Sequence, residues 1–186
     1  MMVAVSERPD VWLRGNLRPA VVVALAAVVC AGLLPAAGIL AAWPFWALGL
    51  AGAGAGALLA LAAGLVWAAA QPRLGRQGEF MLVRLAPLAC RRVPLEIVEC
   101  VFRGTEPVAA AGQPPRYRVG TIALRLAERA KEWRERETFR PWGTWEDGYI
   151  VIDGRWCEPL SPELAQQIAA RLADAKRELA AGRQPR

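Results

Sequence analysis

Two hydrophobic patterns divide this chain. From Pro19 to Pro72 there is no Asp, Glu, Lys or Arg at all, and after Arg73 apolar and polar residues interleave. One bilayer crossing takes about 20 apolar residues, so the first stretch predicts two helices, over roughly 19–40 and 45–70. Pro35, Gly38 and Trp43-Pro44 mark the turn between them. Pro19 suits the opening turn of the first helix, where a missing N–H costs nothing. The predicted divisions are an N-terminal cytoplasmic segment over 1–18, a transmembrane helical hairpin over 19–72 and a cytoplasmic domain over 73–186.

Beyond the hairpin, the period shortens to that of strands. Phe80, Leu82 and Arg84 alternate with Met81, Val83 and Leu85, and 88–93 reads as a second strand. In 96–102, Val98, Cys100 and Phe102 share one face, which makes Cys100 a core thiol. Residues 103–118, with Gly104, Pro107, Gly112, Pro114 and Pro115, read as a loop. Ile122, Leu124 and Leu126 line one face of a further strand, followed by a short helix or polar turn over 128–137. Asp153-Gly154, between Tyr149-Ile150-Val151-Ile152 and Arg155-Trp156-Cys157, predicts a type I′ hairpin. The chain closes with an amphipathic helix. Ser161 caps it, Pro162 opens it, and Leu164, Ile168, Leu172, Ala175 and Leu179 form its stripe. The predicted class is α+β: an N-terminal transmembrane helical hairpin, then a small antiparallel-sheet domain closed by a C-terminal amphipathic helix.

Charge orients the hairpin. Arg14 and Arg18 precede it, Arg73, Arg76 and Arg84 follow it, and the connection is uncharged. The positive-inside rule then places both termini in the cytoplasm. Trp43 and Trp46 fall at the outer interface and Trp12 and Trp67 at the inner one. Within the second helix, Gly52, Gly56, Ala60 and Gly64 repeat at a spacing that lets helices approach closely. That stripe serves packing against the first helix, against a second copy, or against another membrane protein. Neither span holds a charge, which argues against an ion or proton path through this chain.

The net charge of +6 is carried almost wholly by Arg, with Lys131 and Lys176 the sole lysines. It reflects compositional habit and membrane orientation, not a nucleic-acid footprint. There is no His, which removes the commonest general base and zinc ligand. Cys90, Cys100 and Cys157 lack paired metal-site spacing, and Cys30 lies in the first span; all four read as free thiols. No nucleophile elbow or phosphate-cradling Gly loop occurs. These observations point to no catalytic site, no cofactor and no small-molecule substrate.

Two surfaces carry the functional expectations. Trp142 and Trp145 lie in the turn-rich stretch from Pro141 to Gly148, where large rings either fold back over the core or stand at the surface. In the second case they form a partner site rimmed by Arg136, Arg140, Glu146 and Asp147. Arg73, Arg76, Arg91 and Arg92, near the membrane, are candidate lipid-headgroup contacts.

The hairpin, the strand-rich domain and the closing helix resemble bacterial membrane proteins that carry a pleckstrin-homology-like domain. The stretch Arg91-Arg92-Val93-Pro94-Leu95-Glu96-Ile97-Val98-Glu99 is similar to their Pro-marked step between strands. The resemblance covers residues 73–182 and implies a bent antiparallel sheet or barrel capped by one helix, at the inner membrane of a bacterium, in a docking or assembly role. The expected function is a membrane-tethered interaction or assembly module whose partners are the bilayer and a membrane protein or second copy. Two alternatives stand beside it: an envelope structural protein binding lipid headgroups, and a membrane-anchored enzyme of unknown class.

Overall fold

The computed structural model describes residues 9–108 and 117–182. The described residues divide into two compact units. One comprises those of 1–15 and 72–186, the other residues 16–71.

The second unit is a pair of helices, α1 (Arg18–Leu40) and α2 (Phe45–Ala70), packed on each other. Pro19 stands in the first turn of α1, and Pro35 is accommodated inside it. Both helices are long and apolar enough to cross a membrane, yet only 11% and 17% of their most apolar windows are buried. Val22, Leu33, Phe45, Leu50 and Leu61 stand exposed. A soluble protein rarely leaves so much contiguous apolar surface bare. The seam against α1 uses Ala51, Ala55 and Ala62 of α2.

The larger unit contains two four-stranded antiparallel sheets and a closing helix. The first sheet joins β1 (Asp10–Leu13), β2 (Leu74–Gln77), β3 (Phe80–Val83) and β4 (Arg91–Pro94) in that order. The second joins β5 (Val98–Val108), β6 (Tyr117–Leu126), β7 (Gly143–Glu146) and β8 (Tyr149–Asp153) in the order β5-β6-β8-β7. Helix α3 (Pro162–Gly182) packs on β5. Met81, Val83, Val93, Leu124, Ile150 and Ile152 form the shared core with Ile168 and Leu172 of α3. The Ser161 hydroxyl accepts from the Leu164 amide at 3.2 Å, the cap that the sequence marks. Ala165, Ile168, Leu172 and Ala175 are buried at alternating spacings of three and four, so the amphipathic stripe covers the sheet as expected.

Several expectations are corrected. Residues 10–13, ahead of the hairpin, belong to the larger unit. Strand β1 pairs with β2, Val11 opposite Gly75, and buries Trp12 and Leu13 in the core. Trp12 is therefore a core residue, not an interfacial anchor, because an Asp10–Leu13 strand can complete an edge that β2 would otherwise leave open. Cys100 is exposed, as is Phe102. A register shift between Val98 and Cys100 inserts one extra residue, so Val98 and Val101 both point inward and the alternation inverts in between. Strand β5 runs on through Gly104 and Pro107 to Val108, where the sequence reads as loop; residues 109–116 lie outside the described residues. The short element after β6 is a 3-10 turn over Lys131–Trp133.

The hairpin also sits elsewhere. Glu146 pairs with Tyr149 across Asp147-Gly148, whose φ angles of 53° and 78° are those of a type I′ turn. At Asp153-Gly154 the chain turns into a 3-10 segment, Gly154–Trp156, capped by the Asp153 carboxylate on the Arg155 amide. Two Asp-Gly pairs thus compete for one hairpin. The first wins because Trp145 and Ile150 on either side of it both face the core.

Candidate functional site

The expected partner surface does not form around its two indoles. Trp142 and Trp145 are each 1% exposed. Trp145 donates from Nε1 to the Trp133 carbonyl at 2.7 Å and stacks on the Trp133 ring at 6.0 Å. Trp142 meets Phe139 edge-on at 5.7 Å. A small domain gains more by burying such rings than by displaying them. The charged rim remains at the surface: Arg140 pairs with Glu146 at 3.6 Å, Arg136 lies over the Trp133 ring, and Asp147 occupies the hairpin turn.

The four arginines read as headgroup contacts also separate. Arg91 and Arg92 are exposed on edge strand β4. Arg76 is tied to α3 through Glu178 at 2.6 Å. Arg73 is wholly buried and so is not a surface charge.

The small-residue stripe of α2 points away from α1. A Cβ placed on Gly52, Gly56 or Gly64 would meet nothing within 4 Å, and Ala60 is exposed beside them. Neighbouring residues are about 100° apart around a helix. When Ala51 and Ala55 take the seam, the glycines one step along are turned out of it.

The arrangement that sequence reasoning missed is centred on Arg73. Its guanidinium lies 3.5 Å from the centroid of the Trp142 ring, and its Nε donates to the Trp156 carbonyl at 3.1 Å. Beside it stands Arg84, whose amide donates to the Arg73 carbonyl at 3.0 Å, one step beyond the Leu74–Val83 pair of β2 and β3. The two arginines are therefore opposite neighbours just beyond the ends of β2 and β3, where like charges repel. Nη1 and Nη2 of Arg73 and Nε of Arg84 are buried without a hydrogen-bond partner among the described residues. Burial, and secondarily the Arg84 charge, lowers the Arg73 pKa to about 10, opposed by Cys157. The guanidinium stays protonated at neutral pH.

Cys157 supplies no counter-charge. It is buried, and its Sγ contacts the Asp153 carbonyl at 3.5 Å. Burial, then the Asp153 charge, pushes the thiol up to about 12, so it is neutral and unreactive. Among the described residues no three His, Cys, Asp or Glu side chains gather in a way that could hold a metal ion. The signal in the sequence was slight: Arg84 continues the alternation of β3, and nothing local distinguishes a paired arginine from an unpaired one.

No family model, no curated protein and no solved structure matches this chain.

Proposed function

We propose that this is a two-span membrane protein that acts as an assembly module, joining a second copy or another membrane protein through the outward face of α2. The observation that carries the reading is the orientation of Gly52, Gly56, Ala60 and Gly64. They form a small-residue face on a helix apolar enough to span a bilayer, and that face is not used against α1. Close backbone approach is what such faces offer in lipid, where no hydrophobic force drives helices together. The bare apolar flanks of α1 and α2 support the membrane placement. The flanking arginines support cytoplasmic termini. The pleckstrin-homology-like reading of the larger unit rests on its architecture alone, antiparallel sheets closed by α3.

The test is association of the full chain in lipid nanodiscs or bicelles. Gly52→Leu with Gly56→Leu should abolish energy transfer between labelled copies, or capture of a co-purifying membrane subunit, while both helices still insert. Association that survives the double substitution sinks the reading. Topology is checked separately: Ala41→Cys should react with an impermeant thiol reagent added outside intact cells, and a C-terminal tag should be shielded. The reverse pattern would invert the orientation.

A further inference from the structure

We propose that Arg73 and Arg84 form a binding site for the phosphate of an anionic phospholipid headgroup, with Leu88 and Phe139 as apolar contacts beside it. The inference shares the membrane placement of the preceding section but does not depend on helix association.

The first argument is charge. Arg73 and Arg84 are paired through their backbones just beyond the ends of β2 and β3, the Arg84 charge acts on the Arg73 guanidinium, and neither side chain takes part in any ion pair among the described residues. Buried charge without a counter-charge is costly. Three buried N–H-bearing nitrogens, two on Arg73 and one on Arg84, have no acceptor there. One anion bound between the two residues meets both demands. Planar guanidinium donors suit phosphate oxygens better than a lysine ammonium would.

The second argument is preorganisation. Arg73 is held from below by the Trp142 ring and from behind by the Trp156 carbonyl. These contacts use its π face and its Nε, and they leave both terminal nitrogens uncommitted. Arg84 is half-buried and Arg73 wholly buried, so Arg84 is the one of the two with surface open to solvent.

A free inorganic anion would need only the charges. The neighbourhood fits a lipid better. Leu88 is 89% exposed and Phe139 43% exposed. Leu88 lies in an all-apolar run, Leu85 to Cys90, that follows Arg84 directly, with Arg91 and Arg92 just beyond. The Phe139 ring meets the Trp142 ring edge-on at 5.7 Å, and the Arg73 guanidinium lies over that same Trp142 ring. Exposed apolar side chains next to cations are the composition of an interfacial contact: cations at the phosphate level, apolar tips at the acyl boundary.

The experiment uses the full chain in an uncharged detergent and follows its melting temperature. The probes are dihexanoyl-phosphatidylglycerol, dihexanoyl-phosphatidylcholine and inorganic phosphate. The anionic lipid should raise the melting temperature saturably, and the other two should leave it unchanged. Arg84→Met keeps the apolar stem and removes the charge. It should raise the half-saturating lipid concentration about tenfold, as expected for one lost charge-assisted donor. Without lipid it should melt no earlier than the parent protein, because a like-charge neighbour has gone. Leu88→Ser, at an exposed position, should weaken lipid binding several-fold. The proposal is overturned if phosphatidylglycerol gives no shift, or if inorganic phosphate or phosphatidylcholine matches it. It is also overturned if Arg84→Met leaves the titration unchanged or lowers the lipid-free melting temperature.

Discussion

The indole of Trp145 hydrogen-bonds the carbonyl of Trp133 while its ring stacks on the Trp133 ring, 6.0 Å between centroids and 21° from parallel. One side chain thus anchors β7 to the 3-10 turn after β6 and fills the core between them. Trp145→Ala should cost about 3–5 kcal/mol through the cavity alone. Trp145→Phe keeps most of the volume but strands the Trp133 carbonyl, and about 1–3 kcal/mol is expected. Thermal unfolding of the full chain should rank the two in that order. An unchanged melting temperature for Trp145→Ala would place the indole outside the core.

Gly143 has no room for a side chain. Its φ is 151°, and a Cβ there would lie 2.0 Å from the Val151 carbonyl oxygen. Gly143→Ala must push β7 away from β8, and a loss of at least about 2 kcal/mol should follow. Gly148→Ala, in the type I′ turn with open space around it, should cost less, since only the backbone conformation is strained. Equal losses at the two positions would contradict the close approach.

The thiols should sort by environment. Cys90 and Cys100 are exposed and should be alkylated in the folded protein, whereas Cys157 should react only on unfolding. The same burial sets a pH dependence. The Cys157 thiol titrates at about 12 instead of 9.0, so the native state holds a proton that the unfolded chain releases. Its contribution to stability is complete below pH 9 and falls as pH rises towards 12. Arg73, lowered to about 10, acts in the opposite sense above that pH. Near pH 9 the thiol dominates, since Arg73 gives up its proton only as the pH approaches 10. Stability should begin to fall there in the parent protein, and the fall should be absent from Cys157→Ala around pH 9.

Leu172 is the mid-stripe residue of α3, 3% exposed against the sheets. Leu172→Ala should lower stability by about 2–5 kcal/mol, read as an earlier melt of the full chain. A change below about 0.5 kcal/mol would detach α3 from the core and favour a helix lying on another surface.

Much of this architecture is written in local patterns. The two apolar helices follow from an uncharged run whose length and composition leave no other economical form, and their ends at Leu40 and Phe45 fall where the turn residues put them. Helix α3 was legible because cap, proline and stripe agree within one segment. The inward faces of β3 and β6 follow from period two alone.

What needed the tertiary structure were the cases in which distant residues compete for one place. A single extra residue near Glu99 reversed the facing of Cys100, because a bulge is set by the strand opposite and not by the strand that carries it. The choice of Asp147-Gly148 over Asp153-Gly154 depended on which flanking residues reach the core. Trp142 and Trp145 could be called core only once β6, β8 and Trp133 surrounded them. The outward turn of the Gly52–Gly64 face was decided by which neighbour on α2 meets α1, a rotation of one residue that composition does not encode. Arg73 and Arg84, eleven positions apart in sequence, become a pair only when β2 folds back on β3. Whether a buried charge is matched is a property of everything around it, and so it belongs to the folded molecule alone.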